Sequence, residues 1–189
     1  MPSVSRQRPP TTAPATIPYN GDILDGGCAV GQLNTTKITA ACYGRNGVGK
    51  TTFACQGGEP TALISIEPSP TGGARSVMGR ADVVVYQVKS SEKMLAIAEA
   101  LKSRFAAGQK PFRRVVIDGI SSWNDVILSE VMGLDYRVMP AILGWGKVSM
   151  DQYTERGERL IRYLRPFFDL PCDLWVIAQE RDHTPPKEV

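Results

Sequence analysis

Gly44-Arg45-Asn46-Gly47-Val48-Gly49-Lys50-Thr51 is a complete G-x-x-x-x-G-K-T motif. The apolar run Ile38-Thr39-Ala40-Ala41-Cys42-Tyr43 precedes it, and a short helix-like stretch, Thr51-Thr52-Phe53-Ala54-Cys55, follows. Strand, glycine loop and helix start form the arrangement in which a backbone wraps a triphosphate. Glycines let the loop turn and bring its N–H groups to phosphate oxygens, and the helix N-terminus adds partial positive charge. On this reading Gly44, Arg45, Asn46, Gly47, Val48, Gly49, Lys50, Thr51 and Thr52 form the nucleotide-binding segment. Lys50 reaches the β- and γ-phosphates, and the Thr51 hydroxyl holds Mg²⁺.

A second motif is expected downstream, because a triphosphate site needs a carboxylate for its metal. Val115-Val116-Ile117-Asp118 supplies one at the carboxyl end of an apolar strand, where Asp118 would hold Mg²⁺ directly or through water. The next residue is Gly119, so no adjacent glutamate is available to activate water. Glu67, at the end of the apolar run 62–67, takes that role in the sequence reading, since the carboxyl ends of parallel strands open onto one ligand crevice. Gln179 ends the run Leu174-Trp175-Val176-Ile177-Ala178-Gln179 at the same rim, where its amide would sense the γ-phosphate. Lys50, Glu67 and Gln179 are thus the expected catalytic set, with Thr51 and Asp118 on the metal.

The rest of the chain fits an α/β domain. Strands are expected at 38–43, 62–67, 82–88, 115–118 and 174–179. A short helix follows the glycine loop, stopped by Gly57-Gly58 and Pro60. Further helices are expected from an N-cap at Ser91 to Gly108, over 121–132, and over 150–165, where Pro166 ends or bends the helix. Near-continuous apolar strands alternating with amphipathic helices give a three-layer α/β/α sandwich around a mainly parallel sheet covered on both faces. Residues 1–19, rich in Pro, Ser and Thr and carrying Arg6 and Arg8, are read as a flexible arm, and 20–189 as the ATPase domain.

Composition sets the remaining bounds. The 189 residues suit one domain, with 42% hydrophobic and 22% charged residues. A net charge of +3 permits a nucleic-acid partner without demanding one. No apolar run is long enough for a membrane span, and the N-terminus lacks a signal-peptide core. The cysteines Cys28, Cys42, Cys55 and Cys172 are scattered, none forms C-x-x-C, and there is one histidine, which argues against zinc and for a reduced setting. The expected location is the cytoplasm, that of the host cell if the protein is viral. Cys42 and Cys55 are expected to be buried.

Taken together, the motifs Gly47-Val48-Gly49-Lys50-Thr51-Thr52-Phe53-Ala54, Val115-Val116-Ile117-Asp118-Gly119-Ile120 and Ile177-Ala178-Gln179-Glu180 resemble the RecA-like P-loop ATPase core, in particular the compact RecA-like ATPases of phages, some of which act in single-strand annealing. The resemblance covers roughly residues 36–181. It implies that strand five lies between strands one and four, that Glu67 is the catalytic carboxylate and that Gln179 couples nucleotide state to the rest of the domain. It implies ATP and Mg²⁺ as ligands, hydrolysis to ADP and phosphate, and work in phage DNA recombination, annealing or repair. Single-stranded DNA, further copies of the chain or a recombination protein would be its partners. Many phage relatives carry His near position 179, whereas this chain has Gln, as RecA itself does. RecA-like cores also continue with strands and basic residues that reach a neighbour's nucleotide, so either the sequence is truncated at Val189 or those parts are absent.

Two other readings stand beside this one. A ParA-type partitioning ATPase shares Gly47-Val48-Gly49-Lys50-Thr51-Thr52, but that family carries Lys where Arg45 sits, followed by Gly-Gly, and here Asn46 follows. A nucleotide-gated scaffold would bind ATP and a protein or DNA with little turnover. Arg156, Arg159, Arg162 and Arg165 recur every third residue and read as a solvated face paired with Glu155 and Glu158, or as a phosphate-tracking face. Trp145, between two glycines, either folds back on the core or stacks on a base, and His183 is read as a surface residue.

Overall fold

The computed structural model describes residues 37–66, 72–134 and 148–180. In chain order these form β1 (Thr39–Gly44), α1 (Lys50–Ala54), β2 (Thr61–Ser65), a 3₁₀ turn η1 (Gly73–Val77), β3 (Val83–Gln87), α2 (Ser91–Ala106), β4 (Arg114–Asp118), α3 (Ile120–Val131), α4 (Met150–Phe168) and β5 (Asp173–Gln179). The five strands form one sheet in the order β1-β5-β4-β2-β3, with every pairing parallel. Strand five therefore lies between strands one and four, as the resemblance implies.

Alternation along the strands divides the core into two layers. Leu63, Val116 and Ile177 face α1 and η1 and are buried with Ala54, Cys55, Ala74 and Val77. Ala62, Ile64, Val115, Ile117 and Leu174 form the other face, under Met94, Ala98 and Leu101 of α2, Trp123, Val126 and Ile127 of α3, and Phe167 of α4. Every residue of β2 is buried, and β4 is buried from Val115 onward, as expected of central parallel strands. The edge strand β1 departs from the expectation of two covered faces. Thr39, Ala41 and Tyr43 are exposed, and Cys42 is only half-buried.

The helix boundaries differ from the sequence reading in two physically clear ways. The N-cap of α2 is Ser90, not Ser91: Ser90 has extended backbone and its hydroxyl accepts the Lys93 N–H, while the Ser91 N–H donates to the Glu130 carboxylate at 2.9 Å. Pro166 does not end α4, which runs two residues further. Proline removes one helix hydrogen bond, but continuing the turn buries Phe167 to 1% exposure and leads into the buried Leu170. The start of α4 is secured by a capping box between Ser149 and Gln152. No described helix is long and apolar enough to cross a membrane.

The short α1 is held from its far end. Arg114 donates to the Ala54 carbonyl at 2.9 Å and to the Gln56 carbonyl at 2.6 Å, satisfying acceptors that the helix terminus leaves open. Its guanidinium lies 5.6 Å from the Trp175 ring centroid, and Trp175 meets Phe53 of α1 edge-to-face. Replacing Arg114 with Ala is expected to lower stability by about 2 kcal/mol, since charge-assisted bonds to backbone carbonyls are lost. Urea denaturation checks this; an unchanged midpoint would contradict the anchoring role. Burial raises the thiols of Cys55 and Cys172 to about 11 each, so both stay protonated and slow to react near neutrality. Alkylation at pH 8 is expected to spare both in the native protein and to modify both in denaturant, as read by mass spectrometry of the peptides.

Candidate functional site

Parallel pairing brings the carboxyl ends of the strands to one rim, the place where open α/β sheets bind ligands. In register, Gly44 lies beside Gln179, and Asp118 lies beside both Ser65 and Ile177. A cavity of about 780 Å³ opens at this rim, within the size range of small-molecule sites. Its lining comprises Asn46, Gly47, Gly49, Lys50, Thr51 and Thr52 from the glycine loop and α1, Asp118, Ser122 and Gln179 from β4, α3 and β5, and Gly72, Gly73, Arg75 and Ser76 at η1.

The loop between β1 and α1 has the expected backbone. Gly47 and Gly49 adopt φ of 79° and 85°, a left-handed conformation that side chains resist. Gly49 is the N-cap of α1, so the loop delivers the chain directly into the helix. The Lys50 ammonium donates to the Gly44 carbonyl at 2.8 Å and to the Arg45 carbonyl at 2.7 Å. An ammonium has three donors, so these bonds fix the side chain across the loop and leave a donor for a ligand in the cavity.

The Thr51 hydroxyl donates to Asp118 Oδ2 at 2.7 Å, with Thr51 7% and Asp118 2% exposed. Asp118 shares the sheet face of Val116, two residues earlier, which is the face covered by α1. A hydroxyl and a carboxylate converging at this point are the hard oxygen donors Mg²⁺ prefers. Gly73 closes the pair from above. A Cβ placed there would meet Asp118 Oδ2 at 2.2 Å and Thr51 Oγ1 at 2.3 Å, so the position admits only glycine without displacing the turn. The residues therefore fit a bound Mg²⁺, with Thr51 and Asp118 as its protein oxygens.

The end of β5 is tied to both neighbouring loops. The Gln179 N–H donates to Ser121 Oγ at 3.1 Å, and the Glu180 N–H donates to the Gly44 carbonyl at 3.0 Å. Arg45 pairs with Glu180 at 3.6 Å while remaining 78% exposed. Gly44, Arg45 and Val48 do not line the cavity, although the first two supply the carbonyls that hold Lys50.

Glu67, Trp145 and His183 lie outside the described residues, as do Arg6, Arg8 and Cys28. The arginine series on α4 is partly engaged within its own helix: Arg159 pairs with Glu155, and Arg156 lies 4.9 Å from the Tyr153 ring centroid. The residues that sequence reasoning missed are Gly72, Gly73, Arg75, Ser76 and Ser122. The Gly72-Gly73 doublet after the second strand was the available signal, but a glycine pair reads first as a loop.

Gly73→Ala is expected to cost about 1–3 kcal/mol through overpacking against Thr51 and Asp118. It is also expected to weaken Mg²⁺-dependent nucleotide binding. Thermal denaturation with and without MgADP checks both; a wild-type melting profile in both conditions would show that the turn moves aside freely.

A family model described as an AAA domain matches residues 36–187. No curated protein matches the chain. The glycine loop, the Thr51–Asp118 pair and the β1-β5-β4-β2-β3 sheet agree with that match: the chain belongs to the AAA domain family, of the P-loop nucleoside triphosphatase type.

Proposed function

We propose that this domain binds ATP with Mg²⁺ at the rim cavity and hydrolyses it to ADP and phosphate. The observation that carries the reading is the Thr51–Asp118 hydrogen bond at 2.7 Å, which sets a metal-binding pair beside the lysine and glycine loop. The loop amides and Lys50 hold the phosphates. When bound, Mg²⁺ would neutralise phosphate charge, with Thr51 and, directly or through water, Asp118 as its ligands.

Glu67 is the proposed base. The Ile66 N–H donates to the Asp118 carbonyl at 3.0 Å, so the chain enters position 67 from the strand next to Asp118. Glu67 takes a proton from water as the water oxygen bonds to the γ-phosphorus. The bond from that phosphorus to the bridging oxygen breaks, and its electron pair stays on ADP. Gln179 is the proposed γ-phosphate sensor, supported by its place in the cavity lining and by the ties from Gln179 to Ser121 and from Glu180 to Gly44.

The RecA-like resemblance carries the reading further, to work on single-stranded DNA in phage recombination, annealing or repair. A homo-oligomer or a recombination protein would be the partner, and the cytoplasm the location. Phosphate release with and without single-stranded DNA tests this, alongside light scattering. Lys50→Ala and Glu67→Gln are each expected to lower turnover by about 10²-fold or more. Wild-type turnover in Glu67→Gln would remove Glu67 as the base, and nucleotide binding without phosphate release in the wild type would favour a scaffold.

A further inference from the structure

Resting on the nucleotide-site reading above, we propose that Arg75 binds the γ-phosphate as an arginine supplied by the same chain. It lines the cavity from a turn packed against the helix that follows the glycine loop.

The turn η1 has two sides. Ala74 and Val77, three residues apart, are buried against Ala54, Cys55 and Leu63. In a 3₁₀ turn residues at that spacing stack above one another, so this side is the anchor. Arg75 and Ser76 lie between them in sequence and line the cavity instead. The turn is fixed internally by the Arg75 N–H bond to the Gly72 carbonyl at 2.9 Å and by the Ser76 hydroxyl bond to the Gly73 carbonyl at 2.7 Å. Its start is pressed onto the metal-binding pair at Gly73, where there is no room for a side chain. Arg75 is therefore two residues beyond Gly73, which touches the Thr51–Asp118 pair, on a backbone held from both sides.

Charge points to the same ligand. Among the described lining residues the charged groups are Lys50, Arg75 and Asp118. Asp118 is engaged by Thr51, and Lys50 is fixed on the loop carbonyls. Arg75 forms no ion pair with another described residue. An exposed arginine that lines this cavity, with no carboxylate partner among the described residues, matches a group with several anionic oxygens, which a guanidinium binds with two parallel N–H donors. Lys50 serves the phosphates from the glycine loop and Arg75 from η1. The two cations would then flank the phosphate that is transferred, and Arg75 would distinguish ATP from ADP.

The test compares wild type, Arg75→Ala, Arg75→Lys and Lys50→Ala for binding of MgADP and MgATPγS and for phosphate release from MgATP. Thermal denaturation confirms that the variants fold. Arg75→Ala is expected to bind MgADP within about twofold of wild type. It should lose at least about tenfold in MgATPγS affinity and about 10²-fold or more in turnover, in keeping with the size of arginine effects on phosphoryl transfer. Arg75→Lys should recover part of the binding but less of the turnover, because the point charge lacks the fork. If wild type binds both nucleotides and Arg75→Ala keeps the wild-type ratio of affinities and turnover, the role of Arg75 falls while the site reading stands. If wild type binds neither nucleotide, the site reading falls and this inference with it.

Discussion

The hydrogen bond from Thr51 to Asp118 is the contact on which the rest of the rim depends. It joins the first turn of the loop helix to the end of a central strand, 67 residues away in sequence. Both groups are buried, so neither can exchange its partner for bulk water at low cost. Each side of the bond is then fixed by its own scaffold. Asp118 follows three fully buried residues of β4, paired on both edges by β2 and β5. Thr51 belongs to a helix of only five residues, too short to be stable alone. That helix is held by Arg114 at its C-terminal end and by the packing of Ala54 and Cys55 beneath η1.

A second constraint follows from the sheet order. Placing β5 next to β1 brings Gln179 and Glu180 beside the start of the glycine loop. The Gly44 carbonyl accepts from both the Lys50 ammonium and the Glu180 N–H, using the two lone pairs a carbonyl offers. Lys50 and the end of β5 therefore share one acceptor. The same strand end bonds to Ser121, at the start of α3. The glycine loop and the α3 layer are thus both tied to the end of β5, through the Gly44 carbonyl and the Ser121 hydroxyl.

Much of this was legible in the sequence for definite reasons. The glycine loop declares itself because its conformation requires glycine at fixed positions, and Asp118 because an apolar strand ending in Asp, common by itself, gains meaning downstream of that loop. The strand order came from resemblance, since hydrophobic alternation cannot distinguish one parallel order from another. Cys42 was expected in the core because its strand reads as apolar, yet β1 lies at the sheet edge, and edge position is a property of the whole sheet. Pro166 was expected to end or bend its helix on local grounds, and the burial of Phe167 outweighed termination. The turn at Gly73 was illegible because its meaning lies in a contact with residues 22 and 45 positions away in sequence, Thr51 and Asp118.

Several local rules are broken together at the rim. The Ser65 hydroxyl is 1% exposed, lies beside Asp118 in register, and has no hydrogen-bond partner among the described residues. A buried unpaired hydroxyl costs about 1–3 kcal/mol, which an apolar residue of similar size avoids. The middle of the same strand, at Ala62, Leu63 and Ile64, is wholly apolar and buried. Left-handed glycines, a backbone approach too close for a methyl group and an unpartnered hydroxyl thus gather within one shell around Thr51 and Asp118. Each of these features forgoes some stability at the point where the loop, the turn and the strand ends converge, as a rim shaped for a ligand rather than for folding alone would.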